Sequence, residues 1–346
     1  MKRTFTLIFA VITILLLAAC GNTKSGASEN AGVKANEDEG ISGSLQFYTS
    51  QPDEDAQKLV SEFNKRYPDV KVSTYRSGTE EVIAKLMAEK EAGDIQADVL
   101  LVADAITFES LKKDDLLLSY HSPEAKNMPE TLVDPDGTYN GTKVMATAIV
   151  INTNNVKTLP EKWEDLLTTD AKDQTIMPSP FYSGAAAYNL GVLTREDSLG
   201  WDFYKELKEN GMTVTKGNGA VLKDVASGEQ SYGMVVDYIV AKAKKEGSPV
   251  ELIYPADGVP VITEPIGIMK NTKNEAAAKA FIDFVLSEEG QELAAELGYT
   301  PARKGIDAPE GLKTIEEMTV LEADMKELLN QKEDDKAKFG EIFGQH

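Results

Sequence analysis

An α/β fold with parallel strand pairing is what the sequence predicts, on three observations. Strand-like and helical segments alternate from residue 44 onward, the helices carry capping residues at their ends, and one strand is apolar on both faces. "SLQFYT" (44–49) opens the alternation as a short apolar strand. "PDEDAQKLVSEFNKRYP" (52–68) follows as an amphipathic helix with acids in its first turn, and "VKVSTYR" (70–76) is the second strand. "SGTEEVIAKLMAEKEAG" (77–93) is a helix opened by Ser77 and Thr79 and closed by Gly93, the residue types expected at such caps. "ADVLLVA" (97–103) is nearly all apolar, as a strand covered on both faces must be. Strand, helix, strand, helix, strand implies parallel neighbours joined by right-handed crossovers.

The middle of the chain repeats this grammar. "KVMATAIVINT" (143–153) is a long strand, "PEKWEDLL" (160–167) a helix with Pro at its start, and "QTIMPSP" (174–180) a strand leading into "FYSGAAAYNL". "MTVT" (212–215), "SYGMVVD" (231–237), "VELIYP" (250–255) and "ITEPIGIM" (262–269) read as further strands with helices between them. The helical run 274–298 is expected to break near Ser287, and a charged helix is expected over about 315–335.

The N-terminus is not part of the fold. Lys2 and Arg3 precede the apolar run "TLIFAVITILLLAAC", which is the anatomy of an export leader over residues 1–19. "LAAC" followed by Gly21 resembles the lipobox of bacterial lipoproteins, which implies cleavage before Cys20 and a diacylglycerol on its sulfur. Cys20 is the only cysteine, so an intramolecular disulfide and a cysteine zinc site are both excluded. Residues 20–43 are polar and rich in Gly, Ser and Asn, and read as a flexible tether. Losing Lys2 and Arg3 takes the formal charge from −21 to −23. Such acidity argues against nucleic acid as a partner, since phosphates need a basic footprint.

"LQFYTSQPDEDAQKLVSEFNKRYPDVKV", "SGTEEVIAKLMAEKEAGDIQADVLLVAD", "PSPFYSGAAAYNL", "VASGEQSYGMVVDY" and "AAAKAFIDFVLSEEGQELAAELGYTPAR" follow one another in this chain. In that order they resemble the periplasmic-type solute-binding proteins of ABC importers, in the branch holding ferric-iron, phosphonate and sugar-phosphate binders. The resemblance spans nearly the whole mature chain. It implies a type II two-lobe fold, each lobe a mostly parallel sheet flanked by helices, with a ligand held in the cleft. The N-terminal lobe would comprise 44–146 and 263–305, the C-terminal lobe 147–262, and a helical segment 306–346 would pack across them. The crossing strands would lie in "MATAIVI" (145–151) and "TEPIGIM" (263–269). The implied partners are a small anionic solute, the permease and ATPase subunits, and the membrane through the lipid anchor on its extracytoplasmic face. The protein is expected as a monomer that needs no cofactor and no resident metal.

Parallel α/β units bind ligands beyond the carboxyl ends of their strands, where helix N-termini present unpaired N–H groups and partial positive charge. Four strand-to-helix joins qualify here: "TSQPD", "RSGTEE", "YSGAAA" and "VDYIV". "YSGAAA" is the best, because Ser183 supplies a hydroxyl while Gly184 and Ala185 leave their amides bare. Ser77, Gly78 and Thr79, with Arg76 beside them, offer the same chemistry at a second join. The competing reading of Ser183 is a plain helix cap, worth about 1 kcal/mol without any ligand. Ser50 and Gln51 sit at the first join. Asp237 and Tyr238 end a later strand and read either as a carboxylate and a phenol for a ligand or as a helix N-cap with a packed tyrosine. Asn218, with Lys216 nearby, is a weaker candidate, as are Tyr254 and Asp257. Tyr182 either roofs the site or packs on Pro180, and Trp163 and Trp201 read as core.

Two alternatives remain at this level. Fe(III) wants phenolate, carboxylate and imidazole. Iron-binding relatives place adjacent tyrosines where this chain has Asp237-Tyr238, and often a histidine where it has Gln51. The only histidines are His121 and His346. A lipid-anchored hydrolase is the other alternative. The chain lacks Gly-x-Ser-x-Gly, a Gly-Lys-Ser/Thr phosphate loop and His-Glu-x-x-His. Glu80-Glu81 and Asp114-Asp115 are adjacent on helices and point apart, so they form no catalytic dyad. The sequence therefore points to a binder, not an enzyme.

Overall fold

A computed structural model of the chain describes residues 40–345. The expected leader, Cys20 and the tether up to residue 39 lie outside the described residues. The first part of the fold runs β1 (Gly43–Thr49), α1 (Asp53–Arg66), β2 (Val70–Arg76), α2 (Thr79–Glu91), β3 (Val99–Leu101), α3 (Ala105–Lys113) and β4 (Leu117–Leu118). Next come β5 (Asn140–Asn152), β6 (Thr175–Pro178), α4 (Gly184–Leu193), α5 (Gly200–Glu209), β7 (Thr213–Thr215), α6 (Asn218–Ser227), β8 (Tyr232–Val236), α7 (Asp237–Lys245) and β9 (Val250–Ile253). The chain ends with β10 (Val259–Met269), α8 (Glu275–Leu286), α9 (Glu288–Glu296), β11 (Thr300–Pro301), β12 (Val320–Leu321) and α10 (Met325–Phe343).

The main path of strands is β2-β1-β3-β10-β5-β8-β6-β7. β1 pairs in parallel with β2 and β3, and β6 with β7 and β8, as the alternation of strand and helix dictates. β5 and β10 run antiparallel to their main-path neighbours, because each brings the chain across from the opposite half. β5 pairs with β10 up to Ala146 and with β8 from Thr147 on, so one strand serves both halves. All thirteen of its residues are buried, which explains its centre "VMATAIVI", apolar but for Thr147, whose hydroxyl is hydrogen-bonded to Asn189.

Each half has its own apolar core. Phe63 packs against Phe281 at 4.9 Å and Phe284 at 5.7 Å under β1 and β10. Trp163, fully buried in the other half, donates its indole N–H to the Gly258 carbonyl at 2.8 Å. Trp201 is only partly buried against that core. Among the described residues no helix is long and apolar enough to cross a membrane.

Three local expectations need correction. "PEKWEDLL" forms only a short 3-10 helix, Trp163–Leu167. The Asp165 carboxylate takes the N–H groups of Glu161 and Lys162, leaving Pro160 outside the turn. The last helix starts at Met325, capped by Asp324, because Val320 and Leu321 pair with β10 before it. The N-cap of α2 is Gly78 with no side-chain cap, and the Ser77 hydroxyl is bonded to Glu81 instead. The break at Ser287 stands: its hydroxyl accepts the Gly290 N–H at 3.1 Å and starts α9.

Candidate functional site

A cleft of about 370 Å³ lies where the strands of both halves end. Five joins line it. Ser50 and Pro52 come from β1–α1; Arg76, Gly78 and Thr79 from β2–α2; Tyr182, Ser183, Gly184 and Ala185 from β6–α4. Lys216 to Ala220 come from β7–α6, and Val236, Tyr238 and Ile239 from β8–α7. Ala103, Met145 and Glu264 complete the wall from β3–α3, β5 and β10.

The first turn of a helix leaves N–H groups without intrahelical partners. Here α2 and α6 begin at Gly78 and Gly217 with no side-chain cap. The amides of Thr79, Gly184, Ala185, Asn218 and Gly219 have no protein acceptor among the described residues. They converge on one space, and each helix end adds partial positive charge to it.

Ser183 is a helix cap at the edge of the cleft. Its hydroxyl caps α4 by accepting the Ala186 N–H at 3.2 Å, and it lines the cleft. It also accepts from the Asn218 amide at 3.1 Å, while Asn218 Oδ1 accepts the Val236 N–H at 3.2 Å. Asn218 thus ties the joins before α4, α6 and α7 into one frame, a role that its position in "KGNGAV" did not announce.

Five expected site residues lie elsewhere. Gln51 is buried behind the wall: its N–H donates to Thr49 Oγ1 and its carbonyl accepts Arg76 Nε at 2.7 Å. Ser77 faces Glu81 and not the cleft. Asp237 turns inward to accept its neighbour's N–H at Tyr238 and the Tyr254 hydroxyl at 2.9 Å. Tyr254 is spent on that bond, and Asp257 on the Trp163 N–H. The other expected residues, Arg76 and Lys216 included, line the cleft.

Sequence reasoning missed Glu264, whose place only the register of β10 reveals. Its carboxylate meets Lys143 Nζ at 2.5 Å with both side chains buried, and accepts the Ser50 hydroxyl at 3.2 Å. Lys143 also lies over the Tyr299 ring at 4.4 Å. Tyr299 stands 4.1 Å from Tyr238, ring to ring, and donates its hydroxyl to Asp55 at 2.6 Å. Burial holds the Tyr238 phenol well above its ordinary pKa. The back of the cleft is therefore a neutralised, hydrogen-bonded wall.

The front is positive. Lys216 pairs with Glu81 at 3.0 Å and sits 4.5 Å from the centre of the Tyr182 ring. Arg76 has no carboxylate within salt-bridge distance among the described residues; its Nε serves the Gln51 carbonyl. The two halves also touch across the opening, where the Glu80 N–H donates to the Tyr182 carbonyl at 3.3 Å. A Cβ at Gly78 would stand 2.5 Å from that same oxygen, so only glycine allows the approach.

Burial pushes the Asp237 carboxyl up to about 7, although the Tyr254 hydroxyl and nearby N–H groups pull it down. In the unfolded chain it ionises near 3.9. Its protonated form therefore favours the fold fully below about pH 4, and that contribution is lost as pH rises through about 7. Thermal unfolding from pH 5 to 8 should show the parent losing stability that Asp237→Asn retains. Identical pH slopes in the two proteins would contradict this reading of Asp237.

The model of the bacterial extracellular solute-binding proteins matches residues 58–320. The chain is 24% identical to the "Iron uptake protein A1" of Synechocystis sp., covering 86% of this chain and 85% of the relative. It is 25% identical to the "Putative 2-aminoethylphosphonate-binding periplasmic protein" of Salmonella typhimurium, covering 67% and 70%. Among solved structures it resembles the periplasmic binding protein AfuA from Actinobacillus pleuropneumoniae with fructose-6-phosphate bound. The TM-score is 0.81 at 23% identity, over 88% of this chain and 100% of that one. The fold is thus that of the type II periplasmic binding proteins, and the chain belongs to the bacterial extracellular solute-binding protein family.

Proposed function

We propose that this chain is the solute-binding subunit of an ABC importer, and that its cleft captures a small organic phosphate or phosphonate. The observation carrying this reading is the meeting of Arg76, which has no salt-bridge partner among the described residues, with five helix-start amides that lack an acceptor among those residues, in one space. A phosphoryl oxygen accepts from such amides, and a guanidinium grips two oxygens at once. A cleft of about 370 Å³ is of the size that holds small organic ligands, and is far larger than a bare ion requires. The neutral back wall, with Ser50, Glu264 and Tyr238, would take the organic part. The names of the Salmonella relative and of the AfuA structure agree with this chemistry. The protein would hang from the outer face of the membrane by Cys20 and present its closed form to the permease.

Ferric iron is the second reading, favoured by the Synechocystis relative and by Tyr238 in the cleft. Fe(III) wants several hard anionic oxygen ligands, and the cleft lining offers two phenols, Tyr182 and Tyr238, and one carboxylate, Glu264, already paired with Lys143. Among the described residues no group of three or more His, Cys, Asp or Glu could hold a metal. A thermal-shift panel separates the readings. 2-Aminoethylphosphonate or a sugar phosphate should raise Tm by several degrees at saturation, because a ligand that binds only the folded state stabilises it. Fe(III) should raise it no further than inorganic phosphate does. A rise with Fe(III) alone, together with a visible tyrosinate absorption, would overturn the proposal.

A further inference from the structure

We infer that α10 is a strap that holds the cleft closed, with Lys332 and Lys336 as positioning residues acting on Glu80 of α2. One face of α10 packs chiefly on the second half, with Ile106 of α3 at the edge of the same core. Leu328, Phe339 and Phe343 are buried in the core that also holds Leu190 and Tyr204. Arg195, just beyond α4, secures the same helix through Asp335 at 2.7 Å and Glu327 at 2.9 Å.

The other face reaches the first half. Lys332 and Lys336 are one turn apart, so both ammonium groups lie on one side of the helix. Each meets the Glu80 carboxylate at 2.8 Å, and Lys332 also approaches the Thr107 hydroxyl of α3 at 3.4 Å. The Glu80 side chain is only 12% exposed. Burial raises its pKa, but the two ammonium groups outweigh that and keep it ionised.

Glu80 follows Thr79, the residue whose bare amide faces the cleft, and its own N–H crosses to the Tyr182 carbonyl. Opening a hinge at β5 and β10 would carry α2 away from α10, which its apolar stripe keeps with the second half. Both ion pairs would then break, and the loss of these two shielded contacts opposes opening. The strap therefore favours the closed arrangement before any ligand arrives and slows release afterwards.

Small-angle scattering of the ligand-free mature chain tests this without reference to the ligand. The parent should show the compact closed radius, and Lys332→Met/Lys336→Met a larger one. Combining Lys332→Glu and Lys336→Glu with Glu80→Lys should restore the parent's radius. Glu80→Gln, which keeps size and loses charge, should open the protein too, and serves if the double variant fails to fold. With 2-aminoethylphosphonate or a sugar phosphate as probe, stopped-flow should show roughly 10- to 100-fold faster dissociation with the association rate little changed, as interface changes usually act on release. An unchanged radius in folded variants, or no restoration by the reversed charges, would overturn the strap. Failure of every probe to bind the parent would instead overturn the ligand assignment and leave the scattering result to judge the strap.

Discussion

Replacing Gly184 with valine is expected to weaken binding of an organic phosphate or phosphonate by roughly 100-fold or more, equivalent to about 2.8 kcal/mol. A Cβ at this position would stand 2.6 Å from the Ala103 carbonyl oxygen and 2.9 Å from Thr79 Oγ1. Both neighbours belong to the opposite half, and one of them is backbone. The start of α4 would have to withdraw from the start of α2, and a ligand could no longer reach the amides of both. Gly184 begins α4 with its backbone already helical, so the fold should survive the change. Ser183→Ala is the contrast: it removes a cap worth about 1 kcal/mol and leaves the amides open, so affinity should fall only modestly. Calorimetric titration of both variants separates a blocked approach from a lost hydrogen bond. Parent-like affinity in Gly184→Val would show that the anion lies elsewhere.

The second large effect is expected at Arg76. Of the cations around the cleft, Lys143 is matched by Glu264 and Lys216 by Glu81. Arg76 alone of these three gives the protein one hydrogen bond, through Nε, and keeps the rest of its guanidinium for something else. Arg76→Met should cost about 1.5–3 kcal/mol of binding, roughly 10- to 150-fold, as the loss of hydrogen bonds to a charged group does. Arg76→Lys should recover only part of it, because an ammonium keeps the charge but not the planar fork. The parent's affinity should fall with added salt more steeply than that of Arg76→Met. Equal affinities and equal salt dependence in parent and variant would remove Arg76 from the site.

What the sequence made legible was local. Small and hydroxyl residues at strand-to-helix joins marked Gly78, Thr79, Ser183, Gly184 and Ala185, because bare helix starts have a compositional signature. Ser287 announced the break between α8 and α9 for the same reason. What stayed hidden depends on register and on competing partners. Asp237 sits at a join but is drawn inward by Tyr254, seventeen residues away. Gln51 is buried, with its main-chain groups held by Thr49 and Arg76. Glu264 and Lys143 look like surface charges until two antiparallel strands bring them together in the interior. The strap is likewise invisible in sequence, since Lys332 and Lys336 lie in a run of charges that reads as a solvated face.

The central claim is that helix-start amides of both halves hold a phosphoryl group. Amide-resolved NMR of the labelled mature chain, titrated with 2-aminoethylphosphonate or a sugar phosphate, tests it most directly. The N–H signals of Thr79, Gly184, Ala185 and Gly219 should move downfield together and further than any others, with one saturation curve. Signals at those four amides that stay in place while Fe(III) perturbs the ring of Tyr238 would contradict the account.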